Sequence, residues 1–289
     1  MGQLTGAAPR EISYSFSART RAGRAVIRGI ENATGRGRLL KLALGYENEI
    51  DAGRDFWEVM QERYRITIDL AGEGFTNIPP EGPLVVVANH PYGILDGLAM
   101  GRILSATRRG DFRIIANSVF RKAKDLERVI LPIDFSETKE AVKQNIEARK
   151  HALDYLAGGG AVGIFPGGTV STAAKPFGRP LDPPWKTFTA KMIARSRAQV
   201  VPMYFDGQNS RLFQLASHLS YTLRMALLLN EFGSRVGSPL RVTIGRPLPP
   251  EEIACRRGDA PALMDYLRGQ TYRLGPRPIS ERTYGLFLG

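Results

Sequence analysis

The chain has 289 residues, of which 43% are hydrophobic, and a formal net charge of +12 at pH 7. This length and composition suffice for one large globular core with a small appendage. The single cysteine, Cys255, excludes an internal disulfide, and no Cys/His cluster has zinc-binding spacing. The apolar stretches are too short for a membrane-spanning helix, and no secretory signal is evident. We therefore expect the protein in the cytoplasm or on a membrane surface.

The excess of basic side chains, 40 Lys and Arg against 28 Asp and Glu, predicts an anionic partner. Phospholipid head groups, an acidic carrier protein, CoA and nucleic acid all carry the required charge. A GC-rich genome, which encodes more Arg, would explain the same excess without any partner. No zinc-finger, RNP or helix-turn-helix pattern supports nucleic acid, so we expect no nucleic-acid partner.

The N-terminal part of the chain is basic and has a helical pattern over Ala18–Tyr46, which Gly35 interrupts. Residues 1–41 contain eight Lys/Arg and two Glu, a net charge of +6. We expect residues 1–55 to form basic amphipathic helices that lie in a membrane interface, in front of an α/β domain at 56–289. In the alternative interpretation the apolar stripe packs on the core and the arginines are merely solvated.

From Phe56 onward, predicted strands and helices alternate, which indicates an α/β fold with a largely parallel sheet. The candidate strands are Arg65–Asp69, Pro83–Ala88, Phe112–Ala116, Ala161–Phe165, Gln199–Phe205 and Leu240–Ile244. The candidate helices are Leu98–Ala106, Glu137–Ala157, Phe188–Arg195, Leu219–Glu231 and Ala260–Leu274. No internal repeat is visible.

The most informative segment is Asn89-His90-Pro91-Tyr92-Gly93-Ile94-Leu95-Asp96, directly after an apolar strand. His90 and Asp96 are six positions apart, which on one continuous helix would place them on different faces. The intervening Pro-Tyr-Gly turn can instead fold the carboxylate back onto the imidazole. A histidine oriented by a carboxylate is a general base that can deprotonate a hydroxyl or an amine. In the alternative interpretation His90 packs at the strand end and Asp96 starts a helix.

A second segment, Phe165-Pro166-Gly167-Gly168-Thr169, follows another predicted strand. A glycine pair at a strand end lets backbone amides approach an oxyanion or a phosphate closely. An ordinary strand-to-helix turn would explain the same glycines.

These segments resemble the motifs of the PlsC-like glycerolipid (lysophospholipid) acyltransferases. The usual family block has four residues between His and Asp, whereas this chain has five, as in a subgroup whose block reads NHPxGIxDG. Members of that subgroup are labelled hemolysins or acyltransferases of ornithine-type lipids. The resemblance runs from Trp57 to Leu248, and its further pieces are Ile115-Ala116-Asn117, Leu131-Pro132-Ile133-Asp134, Trp185, Val200-Val201-Pro202-Met203 and Gly207-Gln208-Asn209-Ser210-Arg211-Leu212-Phe213.

The resemblance implies a PlsC-like α/β fold and direct transfer of a fatty acyl group from acyl-carrier protein or acyl-CoA to the hydroxyl of a lyso-lipid. It implies no metal and no cofactor besides the acyl donor, and peripheral attachment to the cytoplasmic face of the inner membrane. His90 and Asp96 would be catalytic. The residues expected to bind substrate are Asn89, Gly93, Arg121, Phe165, Pro166, Gly167, Gly168 and Thr169.

Two departures from the family pattern concern the acceptor. The common family wording FPEGTRS assigns Glu and Arg to the glycerol-phosphate acceptor, and this chain has Gly167 and Val170 there. We therefore expect a lyso-amino-acid lipid, such as lyso-ornithine lipid, rather than lysophosphatidic acid. Arg121 or Lys186 would be a replacement cation. The alternatives are a 1-acylglycerol-3-phosphate acyltransferase, a thioesterase or lysolipid hydrolase, and a non-catalytic membrane-binding protein.

Overall fold

The computed structural model describes residues 12–18, 20–117, 124–133, 138–280 and 283–287, and the structural statements below refer to these residues. They form twelve α-helices and nine β-strands. The helices are α1 Arg21–Ala33, α2 Arg36–Ala43, α3 Tyr46–Asp51, α4 Phe56–Arg63, α5 Ile94–Arg108, α6 Lys124–Glu127, α7 Lys139–Ala157, α8 Phe188–Ser196, α9 Arg211–Leu219, α10 Tyr221–Arg235, α11 Pro250–Ala254 and α12 Ala260–Arg273. The strands are β1 Thr67–Ala71, β2 Leu84–Ala88, β3 Phe112–Asn117, β4 Ile130–Ile133, β5 Ala161–Ile164, β6 Thr172–Ala173, β7 Pro180–Leu181, β8 Gln199–Phe205 and β9 Pro239–Ile244.

Seven strands form one sheet in the order β1-β9-β8-β2-β5-β3-β4. Every neighbouring pair is parallel except β8 and β9, which are antiparallel. Strands β6 and β7 form a separate antiparallel pair. The predicted α/β class with a mostly parallel sheet is therefore confirmed.

Strand β2 is the fourth of the seven strands, and all five of its side chains are apolar and buried. A strand covered on both faces has a continuous apolar sequence, since successive side chains point to opposite sides. Val86 contributes to an apolar cluster with α4, α5 and α10, and Val87 to a second cluster with α7, α8 and α12. Helices therefore cover both faces of the sheet.

Most predicted strands agree with the structure within two residues, and Gln199–Phe205 agrees at both ends. The predicted helix Leu219–Glu231 corresponds to α10, Tyr221–Arg235, and the preceding helix α9, Arg211–Leu219, was not predicted. Ser220 separates them because its backbone is extended, with φ −162° and ψ 132°. The edge strand Ile130–Ile133 was not predicted as a strand. Its four residues are too few for a clear periodicity.

The N-terminal helices pack against the rest of the molecule. Ile27, Leu39 and Tyr46 are at most 4% exposed, and the last two belong to the same apolar cluster as β2. Most cations of α1 and α2, among them Arg21 and Arg24, are exposed and flank few exposed apolar side chains, whereas Arg36 is half-buried and donates to the Ile12 carbonyl. The apolar stripe is thus used in the core, and the membrane contact expected for residues 1–55 stays a prediction.

No helix among the described ranges combines the length and hydropathy that crossing a membrane would require.

Candidate active site

The candidate site lies where three neighbouring strands end. Strands β2, β5 and β8 are adjacent and parallel, so their carboxyl ends lie at one edge of the sheet. The loops that follow them begin at Asn89, Phe165 and Asp206. Ligands of open parallel sheets bind at this edge, because loops diverge there and leave a crevice.

His90 and Asp96 meet in this crevice. The Nδ1 atom of His90 lies 3.0 Å from Oδ2 of Asp96. The Asp96 side chain is fully buried, whereas 18% of the His90 side chain is exposed. The turn between β2 and α5 therefore brings the two residues together, as the Pro-Tyr-Gly turn in the sequence predicted.

The Asp96 carboxylate is fixed by the first turn of α5. Its Oδ2 atom accepts hydrogen bonds from the backbone N–H groups of Tyr92, at 2.8 Å, and Gly93, at 3.0 Å. Gly93 adopts φ 88° and ψ −116°, a conformation that essentially only glycine adopts. Burial raises the pKa of Asp96, while the His90 contact and the two N–H groups oppose this shift.

Three contacts fix the His90 ring and backbone. Its ring stacks on Phe165 with centroids 4.2 Å apart and an interplanar angle of 28°. The His90 carbonyl accepts from the Ser171 N–H at 2.8 Å, and the His90 N–H donates to Asp182 Oδ1 at 3.2 Å. The loop after β2 is thereby attached to the loop after β5.

Asp182 is a site residue that sequence reasoning missed. Its carboxylate is completely buried and also accepts hydrogen bonds from the Ser171 hydroxyl and from Trp185 Nε1. Its backbone N–H donates to the Tyr272 hydroxyl at 2.8 Å, which ties the site to α12. Asp182 lies 92 positions after His90 in the sequence, so the spacing of residues gives no signal for this contact.

The loop Phe165–Thr169 forms a tight turn. The Gly168 N–H donates to the Phe165 carbonyl at 3.0 Å, so the amide expected to face substrate is used inside the turn. The Gly167 N–H donates no hydrogen bond to any described residue. The prediction of two available amides at this loop is thus reduced to one, at Gly167.

Arg224 of α10 is a second site residue that sequence reasoning missed, and its side chain hydrogen-bonds to this loop. Its guanidinium donates to Thr169 Oγ1 at 3.0 Å and to the Val170 carbonyl at 2.7 Å, and it also contacts the Thr172 hydroxyl. Arg224 is 1% exposed, and burial lowers its pKa to about 10. A cation therefore lies beside the family's Arg position, but its donors are occupied by the protein.

The other predicted substrate-binding residues have mixed placements. The Asn89 amide exchanges two hydrogen bonds with the Phe205 backbone, at 2.9 and 2.7 Å, and joins β2 to β8. The Gly93 N–H is used by Asp96. Asn89 and Gly93 thus stabilise the site rather than offer free donors. Lys186 lies beside the second loop, because its N–H donates to the Pro166 carbonyl. Arg121 falls outside the described residues.

A cleft of about 310 Å³ opens next to His90. Its walls include Asn89 and Pro91, the chain neighbours of His90, and Ser171, Arg179, Asp206 and Arg277; the cleft thus borders the loop that carries His90. A second cleft of about 240 Å³ shares Arg179, Gln208 and Arg277 with the first and adds Arg211 and Gln214.

Within the described part of the chain, Arg179, Arg211 and Arg277 form no ion pair, while Arg179 hydrogen-bonds to Tyr204. No group of three His, Cys, Asp or Glu is placed to hold a metal ion there either. The clefts therefore present arginine side chains on segments that border the loop of the histidine–carboxylate pair.

Comparison with known proteins assigns the chain to a class of enzyme. The acyltransferase family model matches residues 39–277, which is most of the chain. The chain therefore belongs to the acyltransferase family, and the family expected from the sequence motifs is confirmed.

Two similar curated proteins are both named lyso-glycine lipid O-acyltransferase. The protein from Phocaeicola vulgatus is 28% identical over 204 residues, which cover 68% of this chain and 70% of the relative. The protein from Bacteroides thetaiotaomicron is 28% identical over 212 residues, which cover 70% and 74%. Among solved structures, the 1-acyl-sn-glycerophosphate acyltransferase PlsC from Thermotoga maritima matches with a TM-score of 0.46 and 17% identity, over 92% of this chain and 87% of that one.

The burial of Asp96 predicts a conflict between stability and activity. Because its pKa is raised in the folded state, the contribution of Asp96 to stability is greatest below its unfolded-state pKa and is lost as the pH rises through the folded-state pKa. Asn carries no charge and can still accept from the two N–H groups. Asp96→Asn should therefore unfold at the same or higher denaturant concentration than wild type, with an advantage that grows from about pH 4, near the unfolded-state pKa of Asp, to about pH 7. Urea unfolding of both proteins measures this; an Asn variant that is less stable at both pH values contradicts it.

Proposed function

We propose that the protein transfers a fatty acyl group from a thioester, carried by acyl carrier protein or CoA, to the hydroxyl of a lyso-lipid with an amino-acid head group. The observation that supports this most directly is the His90–Asp96 pair, whose chain neighbours Asn89 and Pro91 line a cleft that also contains Arg179 and Arg277. Membership of the acyltransferase family supplies the reaction type. The names of the two curated relatives support a lyso-lipid acceptor.

The first step is removal of the acceptor's proton. With Nδ1 facing Asp96, the proton of a neutral His90 resides on Nδ1, and Nε2 is the unprotonated nitrogen. Nε2 takes the proton from the acceptor hydroxyl as its oxygen attacks the thioester carbonyl. The positive charge that forms on the imidazole is stabilised by the buried carboxylate 3.0 Å away.

The second step is collapse of the tetrahedral intermediate. Its negatively charged oxygen needs hydrogen-bond donors, and the Gly167 N–H supplies one in this scheme. The C–S bond breaks, the new ester C–O bond remains, and the thiolate takes the proton from His90 Nε2. The thiol and the acylated lipid leave, and His90 returns to its neutral form.

No residue of the chain need carry the acyl group. Among the described residues, the His90 ring contacts Asp96 and Phe165, and no contact to a hydroxyl or thiol is found. Cys255 is exposed, on the segment after α11. These placements support direct transfer, with the nucleophile supplied by the acceptor.

The sequence of the loop after β5 supports the proposal that the acceptor is not lysophosphatidic acid. Val170 occupies the family's Arg position and is 6% exposed, packed with Phe213 and Leu228. Arg224 lies near the same loop, but its contacts to Thr169, Val170 and Thr172 occupy it. Without that cation, a phosphate in this place would lose a charge-assisted hydrogen bond.

The cleft beside His90 fits a head group with both signs of charge. Arg179 and Arg277 are suited to bidentate pairing with a carboxylate. Asp206 lines the same cleft, and an ammonium group would balance its charge. The same carboxylate would repel a phosphate with two negative charges. We therefore place the amino-acid head group here, with its carboxylate near the arginines.

Replacement of His90 tests the chemistry. His90→Ala should lower acyl transfer by about a hundredfold or more, because the general base is lost. Asp96→Asn should cost about as much or less, since the imidazole loses its orientation and charge partner. His151→Ala is the matched control, because this histidine is exposed on α7.

Transfer is measured with purified enzyme, acyl-carrier thioester and lyso-ornithine lipid. Near-normal turnover by the folded His90→Ala protein is incompatible with the mechanism. Fatty acid released without lipid product would instead indicate a hydrolase.

The acceptor prediction is tested by comparing three acceptors at matched concentrations with one acyl donor. They are lyso-ornithine lipid, lyso-glycine lipid and lysophosphatidic acid. The amino-acid lipids should be preferred by about tenfold or more, corresponding to one lost Arg–phosphate pair. Asp206→Asn should raise KM for lyso-ornithine lipid, which carries an ammonium, and leave KM for lyso-glycine lipid nearly unchanged. A clear preference for lysophosphatidic acid would refute this assignment.

A further inference from the structure

One side of the molecule exposes large apolar side chains beside the two clefts. On α9, Leu212 is 60% exposed and Leu219 is 79% exposed. The spacing of Leu212, Leu215 and Leu219 places them on one face of this helix. Leu215 and Phe177 both line the second cleft, of about 240 Å³. The apolar face of α9 therefore continues into the wall of this cleft.

Phe177 is held in an unusual conformation. It is 70% exposed, and its φ of 66° is left-handed, which is uncommon for a bulky residue. The Gly178 N–H donates to the Lys175 carbonyl, which closes a turn with Pro176 in second and Phe177 in third position. Gly or Asn normally occupies the third position of such a turn. A strained, exposed phenylalanine at a hairpin tip indicates a contact that is not made within the described chain.

The segments around this apolar surface carry cations and no acids. Residues 170–181 include Lys175 and Arg179, residues 207–230 include Arg211, and residues 273–280 include Arg277, and none of these segments contains Asp or Glu. The surface that presents Leu212, Leu219 and Phe177 is therefore both apolar and positively charged.

The N-terminal helices adjoin the same surface. A Cβ atom added at Gly23, in the first turn of α1, would lie 3.9 Å from the Thr222 side chain in the first turn of α10. Tyr221, which precedes Thr222, is 51% exposed. The exposed Arg21 and Arg24 thus lie near the end of α9 and extend the positive charge.

We infer that this surface, defined by Phe177, Leu212, Leu215 and Leu219 and called here the docking surface, binds the protein to an anionic lipid bilayer. The apolar side chains enter the interface between head groups and acyl chains, and the surrounding arginines contact lipid phosphates. In this orientation the second cleft opens toward the bilayer. The N-terminal helices contribute charge, but insertion is made by α9 and the turn at Phe177.

The properties of the surface favour a bilayer over a second copy of the chain. Two copies meeting through this surface would bring identical cations together, which opposes association. A bilayer containing anionic lipids complements both the charge and the exposed apolar area. The docking surface shares Phe177 and Leu215 with the second cleft. This arrangement also fits delivery of a lipid substrate from the bilayer to the cleft, and this point alone rests on the proposed function.

Vesicle binding by the full chain tests the inference. The double variant Leu212→Glu/Leu219→Glu should bind equimolar phosphatidylcholine–phosphatidylglycerol vesicles about tenfold or more weakly than wild type, since two inserted side chains become charged. The matched control is Phe75→Glu/Ile146→Glu, which adds the same charge at exposed apolar positions outside the docking surface. Equal binding by wild type and the Leu212/Leu219 variant, or an equal loss in both variants, overturns the inference.

Insertion is measured separately with Phe177→Trp and, as its control, Phe75→Trp. The two native tryptophans, Trp57 and Trp185, are at most 6% exposed and give a constant background. Brominated acyl chains in the vesicles should quench Trp at position 177 and not at position 75; the absence of quenching at 177 contradicts insertion. Both measurements are made without substrate, so they hold even if the chemistry proposed for His90 fails. Conversely, the Leu212/Leu219 variant should keep its transfer rate on detergent-dispersed acceptor.

Discussion

The buried carboxylate of Asp96 is the constraint on which the arrangement of the site depends. Removing a carboxylate from water costs several kcal/mol unless hydrogen bonds and a counter-charge replace the lost hydration. Here the replacements are the N–H groups of Tyr92 and Gly93 and the imidazole of His90. The conformation of the turn, the start of α5 and the orientation of the imidazole are therefore determined together. A site built for stability alone would place a neutral side chain at this position.

A second buried polar group, Asp182, connects the elements around this pair. It contacts the His90 backbone, Ser171 and Trp185, and through Tyr272 it reaches α12. In the same way, Arg224 connects the end of the loop Phe165–Thr169 to α10 by hydrogen bonds. The site thus rests on interactions between loops from β2 and β5 and helices on both sides of the sheet. This explains how exposed loops can hold a general base in one orientation, which transfer of a proton requires.

The features that sequence could predict are local. The parallel strands are continuous apolar runs over 84–88 and 200–205, because both faces are buried, and the His90–Asp96 contact lies within one turn. The contacts of Asp182 and Arg224 join residues far apart in the chain, so no periodicity or spacing reveals them. Helix α9, Arg211–Leu219, was also missed, and the predicted helix Leu219–Glu231 corresponds to α10 alone. The role of Phe177 likewise depends on a backbone conformation that composition does not encode.

The central claim is that Asp96 holds His90 with its proton on Nδ1 and its Nε2 atom free to act as a base. The chain contains three histidines, so long-range proton–nitrogen NMR of labelled protein can assign the tautomer of each one. The account predicts that neutral His90 is the Nδ1–H tautomer in the wild type and shifts toward the Nε2–H tautomer in Asp96→Asn. A wild-type His90 that carries its proton on Nε2 would contradict the account, because that nitrogen could not accept a proton from the acceptor.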